Sequence, residues 1–203
     1  MTNREVEQVA DAVLKQYVQR GNSYKQLLNI MQAEGVKFRE VPSENAAFVG
    51  ALTCGNSGQR YIMVNQGIKN IGRRNFTIAH ELGHYFLKHQ LKSNSFYCRE
   101  DEITEESQAP NGVEHEANHF ASCFLMPEQT IKSAFLSMLI NSRKAKIKDF
   151  LYVKNDYTFS IWRGIRESLM KRYGVSEAAL RYRLKELKLA KFEFCTVHPK
   201  IYN

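Results

Sequence analysis

The sequence predicts an α+β fold: helices beside a short sheet with a hairpin, followed by a C-terminal helical segment shaped like a helix-turn-helix. Three observations carry this. Apolar residues recur at helical spacing through most of the chain, and three short β-type runs, 36–41, 48–54 and 60–65, interrupt that pattern. The last two runs flank Gly55-Asn56-Ser57-Gly58, turn-forming sequence that joins them as a β-hairpin. Near the C-terminus Gly174-Val175 separates two helical patterns, the second one basic.

In chain order, 4–20 reads as a first helix, with Val6, Val9, Ala10, Val13, Leu14 and Tyr17 on one stripe and Gly21 as its stop. Ser23 caps a second helix that runs to Glu34 and ends at Gly35. The three strands follow, and 67–75 is a connector. The stretch 76–89, FTIAHELGHYFLKH, is a helix with Ile78, Leu82, Tyr85 and Phe86 on its apolar side. A polar, acidic stretch to Gly112 reads as a surface loop. Helices are expected at 111–125, at 128–140 after Pro127, at 160–173, and at 176–189 with Ser176 as its cap.

The chemistry lies in His80-Glu81-Leu82-Gly83-His84. Positions four apart share a helix face, so His80 and His84 can grip one metal ion. Glu81 sits about 100° further round, where its carboxylate can reach a water at the ion without ligating. Gly83 is costly inside a helix, and the close approach of another backbone would explain it. On 111–125, Glu114, Ala117, Asn118 and Ala121 fall on one face, and the alanines let it approach the first helix. Glu114 can then supply a third ligand, and Asn118 can accept the spare ring N–H of a ligating histidine. Two alternatives stand beside this. Asn111 and Glu114 also fit a capping box, and Glu116 is a rival ligand that points toward the core-facing phenylalanines or solvent. Tyr85, His115 and His119 are candidates for a second oxyanion or substrate contact, and His89 is expected at the surface.

Composition bounds the rest. The 203 residues suit one domain, or one domain with a small appendage, and a hydrophobic content of 43% with 25% charged residues is ordinary for a soluble protein. No apolar run reaches membrane-spanning length, and the charged N-terminus makes a poor signal peptide, so a cytoplasmic protein with no membrane partner is expected. Cys54, Cys98, Cys123 and Cys195 form no C-x-x-C pair, which argues against a cysteine zinc site. The net charge of +8 resides almost wholly in 141–191, while Glu100, Asp101, Glu102, Glu105, Glu106, Glu114 and Glu116 make an acidic stretch. We therefore expect two regions, 1–140 around the histidine helix and a basic helical region at 141–203. In the latter, Arg181, Arg183 and Lys185 are candidates for contacts to nucleic acid or an acidic partner.

Two longer motifs carry a resemblance. Arg74-Asn75-Phe76-Thr77-Ile78-Ala79 leads into the histidine helix, and Glu114-His115-Glu116-Ala117-Asn118-His119-Phe120-Ala121 runs on to Phe124-Leu125-Met126-Pro127. Together they resemble the ImmA/IrrE metallopeptidases, a gluzincin-like H-E-x-x-H family of bacteria, phages and integrative elements. The likeness covers 38–127 and is weaker in the C-terminal helix pair. It implies a small zincin-like core, His80, His84 and Glu114 as metal ligands, Glu81 as the catalytic glutamate, and Asn118 as the support behind a ligand. It also implies cleavage of a partner protein, a helix-turn-helix transcriptional repressor, which derepresses a stress or mobile-element programme. Two imidazoles and a carboxylate suit Zn2+, with Mn2+ or Fe2+ left open. The alternative is a non-proteolytic regulator that binds DNA or a repressor through its basic C-terminal helices.

Overall fold

The computed structural model describes residues 1–18, 21–45, 47–90, 112–142 and 149–193, and the backbone of 95–99. The chain is mixed α+β, as the sequence predicts. Helix α1 (Asn3–Tyr17) starts at a Thr2–Glu5 capping box and buries Val6, Ala10 and Val13. A 3-10 turn (Ser23–Gln26) leads into α2 (Leu27–Ala33), so the expected second helix is α-helical only in its later half. Strands β1 (Lys37–Val41), β2 (Phe48–Cys54) and β3 (Arg60–Asn65) lie where the β-type runs put them.

Helix α3 (Ile71–Phe86) begins five residues earlier than the sequence suggested. The Asn70 side chain caps it by accepting the Arg73 N–H at 2.9 Å. This first turn carries no apolar stripe, and Ile71 is exposed, so periodicity could not reveal it. Strand β4 (Ser95–Arg99) corrects the reading of the acidic stretch as a loop throughout, and the remainder of that stretch lies outside the described residues. Helices α4 (Val113–Leu125) and α5 (Glu128–Asn141) follow. Strand β5 (Leu151–Val153) precedes α6 (Asp156–Tyr173), then come α7 (Glu177–Glu186) and β6 (Ala190–Phe192).

The main sheet has the order β1-β3-β2-β4. β1 runs parallel to β3, and β2 is antiparallel to both β3 and β4. The hairpin closes with Gly55 N–H on Gln59 O at 2.9 Å, and Gly58 takes the left-handed φ of +77° that the turn requires. β5 and β6 form a separate parallel pair.

The sheet lies against one side of α3 and α4 packs on the other, with α1 beyond it. One hydrophobic cluster runs from Val6 through Phe120 and Phe124 to Trp162 and Phe192, across the expected boundary at residue 141. The α6–α7 turn docks on the first half of the chain, where Asn75 Nδ2 donates to Gly174 O at 2.7 Å. No helix among the described residues is long and apolar enough to cross a membrane.

Candidate metal centre

Two helices build the centre because small residues let them touch. A Cβ on Gly83 of α3 would lie 3.1 Å from Ala117 O and 3.2 Å from Ala117 Cα of α4. This is the close backbone that a helix-interior glycine implies. The approach brings Glu114 and Asn118 over His80 and His84.

His80 Nε2 and His84 Nε2 stand 3.0 Å apart. A Glu114 carboxylate oxygen lies 3.2 Å from the first and 3.4 Å from the second. Ligands held tetrahedrally about 2.0–2.1 Å from zinc are about 3.3 Å from one another, so the spacing fits a divalent ion. This His-His-Glu group could hold a metal ion. His80 Nδ1 lies 2.8 Å from Asn118 Oδ1, an acceptor that places the ring proton on Nδ1 and leaves Nε2 its lone pair. Both histidines and Glu81 are fully buried.

The electrostatics follow from that burial. Burial opposes charge on Glu114, but His80 and His84 outweigh it and hold the carboxyl well below its usual range. Burial also opposes charge on His80, yet Glu114 and Glu81 raise its pKa. His84 falls to about 4, through burial and the neighbouring charge of His80, despite Glu114. It is thus neutral at pH 7, the state in which imidazole ligates.

Glu81 lies under β2. A Cβ on Gly50 would fall 3.1 Å from Glu81 Oε1 and 2.5 Å from Thr77 Cγ2. Gly50 therefore shapes the ceiling over the Glu81 carboxylate, a role that a β-type run gives no hint of.

The other candidates separate. Tyr85 donates to Glu34 Oε2 at 2.8 Å beneath the Arg60 guanidinium and lines a cleft of about 600 Å³ that opens beside His84. His115 and His119 turn away. His115 Nε2 is 3.3 Å from Asn3 Oδ1, while His119 meets Asn3 O, Cys123 Sγ and Glu186 Oε1. His115 Nε2 and both His119 nitrogens therefore lie against α1, α4 and α7.

Two surprises sit behind His84. His89, expected at the surface, has its side chain only 6% exposed, with Nδ1 2.9 Å from His84 Nδ1. Glu116, expected toward the core or solvent, meets His89 Nε2 at 2.9 Å through one oxygen and the Met1 amino group through the other. The only sequence signal for either was a third histidine just past the end of a histidine helix.

The basic C-terminal candidates also divide. Arg183, expected to face outward, is 2% exposed, its Nε donating to Met126 O at 3.1 Å and its Nη1 to Glu186 at 2.7 Å, so it points into the protein. The Arg181 guanidinium packs 4.8 Å from the Phe192 ring centre, and Lys185 is exposed.

An α+β core with a histidine pair on one helix, a glutamate on the next and a second glutamate buried between helix and sheet has the form of a zincin-like metal domain. The chain belongs to the peptidase M78 family, the IrrE N-terminal-like domain, which matches residues 31–185. A solved Mycobacterium tuberculosis transcriptional regulator has a similar fold, with a TM-score of 0.53 and 16% identity over 89% of this chain. This chain spans 46% of that regulator's length. No curated protein matches the sequence.

Proposed function

We propose that the protein is a metal-dependent endopeptidase that hydrolyses a peptide bond in a partner protein, a helix-turn-helix transcriptional repressor. The observation that carries this reading is the convergence of His80, His84 and Glu114 within ligand distance beside the buried Glu81. Membership of a peptidase family supports it.

His80 and His84 would hold the ion through Nε2, and Glu114 through its carboxylate. Zn2+ is the first choice for that donor set. A bound divalent ion would acidify water and polarise the scissile carbonyl. Glu81 takes the proton of the attacking water and returns it to the leaving amine. Asn118 keeps the His80 ring in the ligating tautomer. Burial sharpens each of these interactions, because little water remains to screen them. The cleft beside His84, walled by Leu52, Arg60, Tyr85 and Phe86, gives an extended chain room to approach.

The test compares the full chain with Glu81→Gln. Metal content is measured by elemental analysis, and cleavage of candidate repressors by mass spectrometry. We expect about one metal per chain in both proteins, with cleavage by the wild type alone. If both bind metal, neither cleaves, and the protein still binds a repressor or DNA, the non-proteolytic regulator replaces the peptidase. If neither binds metal, the ligand assignment is wrong.

A further inference from the structure

We infer that His89 and Glu116 form a relay behind His84 that fixes the tautomer and tilt of its ring, which makes His89 a positioning residue for the ion. The inference rests on the metal-dependent reading of the site.

The hydrogen-bond logic has one consistent solution. The Nδ1 atoms of His84 and His89 face each other at 2.9 Å, so one must donate and the other accept. His84 Nε2 faces His80 Nε2 and Glu114, and ligation there requires a bare lone pair. The proton of His84 is then on Nδ1 and is donated to His89 Nδ1. Accepting at that atom, His89 carries its own proton on Nε2 and donates it to Glu116 Oε2 at 2.9 Å. The chain of donors ends on a carboxylate, as it commonly does behind ligating histidines. His80 obtains the same support in one step from Asn118.

The backbone is bent to make this contact. Continued as a helix, α3 would carry His89 about 140° round from His84. Instead Lys88 adopts a left-handed φ of 56°. The Lys88 N–H bonds to Tyr85 O at 3.2 Å and the His89 N–H to His84 O at 3.1 Å, a Schellman reversal that folds His89 back beside His84. Glycine usually fills that position. Lysine there costs roughly 1 kcal/mol or more, and strain of this kind gathers at functional sites.

The test measures Zn2+ affinity by competition with a chromophoric chelator, on full-length wild type, His89→Ala, His89→Gln, Glu116→Gln and the His89→Ala/Glu116→Gln double variant. Melting of each metal-free protein is followed in parallel. His89→Ala should loosen zinc about 10- to 100-fold, the cost typical of losing such a support. Glu116→Gln should loosen it less. The double variant should match His89→Ala alone, because Glu116 acts through His89. His89→Gln keeps an acceptor for the Nδ1 proton and should recover part of the affinity. Metal-free melting should stay level in Glu116→Gln, which keeps its shape. If wild type binds zinc and both single variants bind it equally tightly, or the double variant's losses simply add, the relay is overturned while the peptidase reading stands. If wild type binds no zinc, both fall together.

Discussion

A missing methyl group sets how closely β2 approaches Glu81. At Gly50 the nearest groups to a new Cβ would be Thr77 Cγ2 at 2.5 Å, Glu81 Oε1 at 3.1 Å and Met63 O at 3.2 Å. Strand and helix are both held by their neighbours, so neither can retreat freely. Gly50→Ala should destabilise the fold by about 1–3 kcal/mol, as overpacking does, and reduce cleavage by displacing the Glu81 carboxylate. The ligands lie on other side chains, so zinc stoichiometry should persist. Adding Thr77→Ser removes the offending Cγ2 while keeping the hydroxyl that donates to Arg73 O, and should restore part of the melting temperature. Calorimetry on the two variants checks this, and a Gly50→Ala protein as stable and active as wild type would refute the close contact.

Element ends show both what the sequence declared and what it hid. One side-chain signal located a start, as Ser176 caps α7 by accepting the Ala179 N–H, whereas Ser23, expected as a cap, lies inside the 3-10 turn; the β-type runs match β1 to β3. Helical spacing put His80 and His84 on one face and Glu114 on a face with two alanines, and the family resemblance favoured Glu114 over Glu116 and a capping role. Where the chain departs from periodicity, the sequence was silent. The first turn of α3 carries no apolar stripe, with Ile71 exposed, β4 lies in acidic sequence, and β5 and β6 are only three residues each. Helix α7 stops at Glu186, three residues short of the expected end, because Lys188 turns left-handed at φ 55°. The reversal bonds the Leu189 N–H to Leu184 O at 2.8 Å and feeds β6. No glycine marks it, just as none marks the turn that brings in His89. Lys188→Gly should therefore stabilise the protein by about 0.5–1 kcal/mol, the relief of the left-handed lysine less the entropy of the more flexible unfolded chain. Chemical denaturation would show it as a higher midpoint at constant m-value, and a lower midpoint would mean that the lysine side chain contributes more than its backbone costs.

At the scale of the whole molecule, a buried polar cluster ties the metal-bearing helix to the C-terminal one. His119 of α4 is 5% exposed, and its Nδ1 lies 2.7 Å from Glu186 of α7, which also holds Arg183. Burial opposes charge on His119, but Cys123 and Glu186 overcome it and push the imidazole up to about 10. Burial likewise opposes charge on Glu186, and His119 with Arg183 lowers its pKa below the ordinary carboxylate value. The signs give a pH window. The raised histidine contributes stability that is complete below its unfolded pKa of about 6.5 and disappears as pH climbs toward 10. The lowered glutamate contributes stability that is complete above about 4.5 and disappears as pH falls through its folded value. The pair should therefore stabilise most between about pH 4.5 and 6.5. His119→Gln cannot ionise, so the melting-temperature gap between wild type and this variant should be widest in that window and narrow steadily toward pH 10. A gap that stays constant across the range would mean that His119 is held neutral and serves only to pack. A gap that closes as expected would mean that α4, which carries Glu114, is anchored by an ion pair reaching across from α7. The basic C-terminal helix would then act as a brace for the metal centre, whatever its one exposed lysine in the 181–185 cluster does outside it.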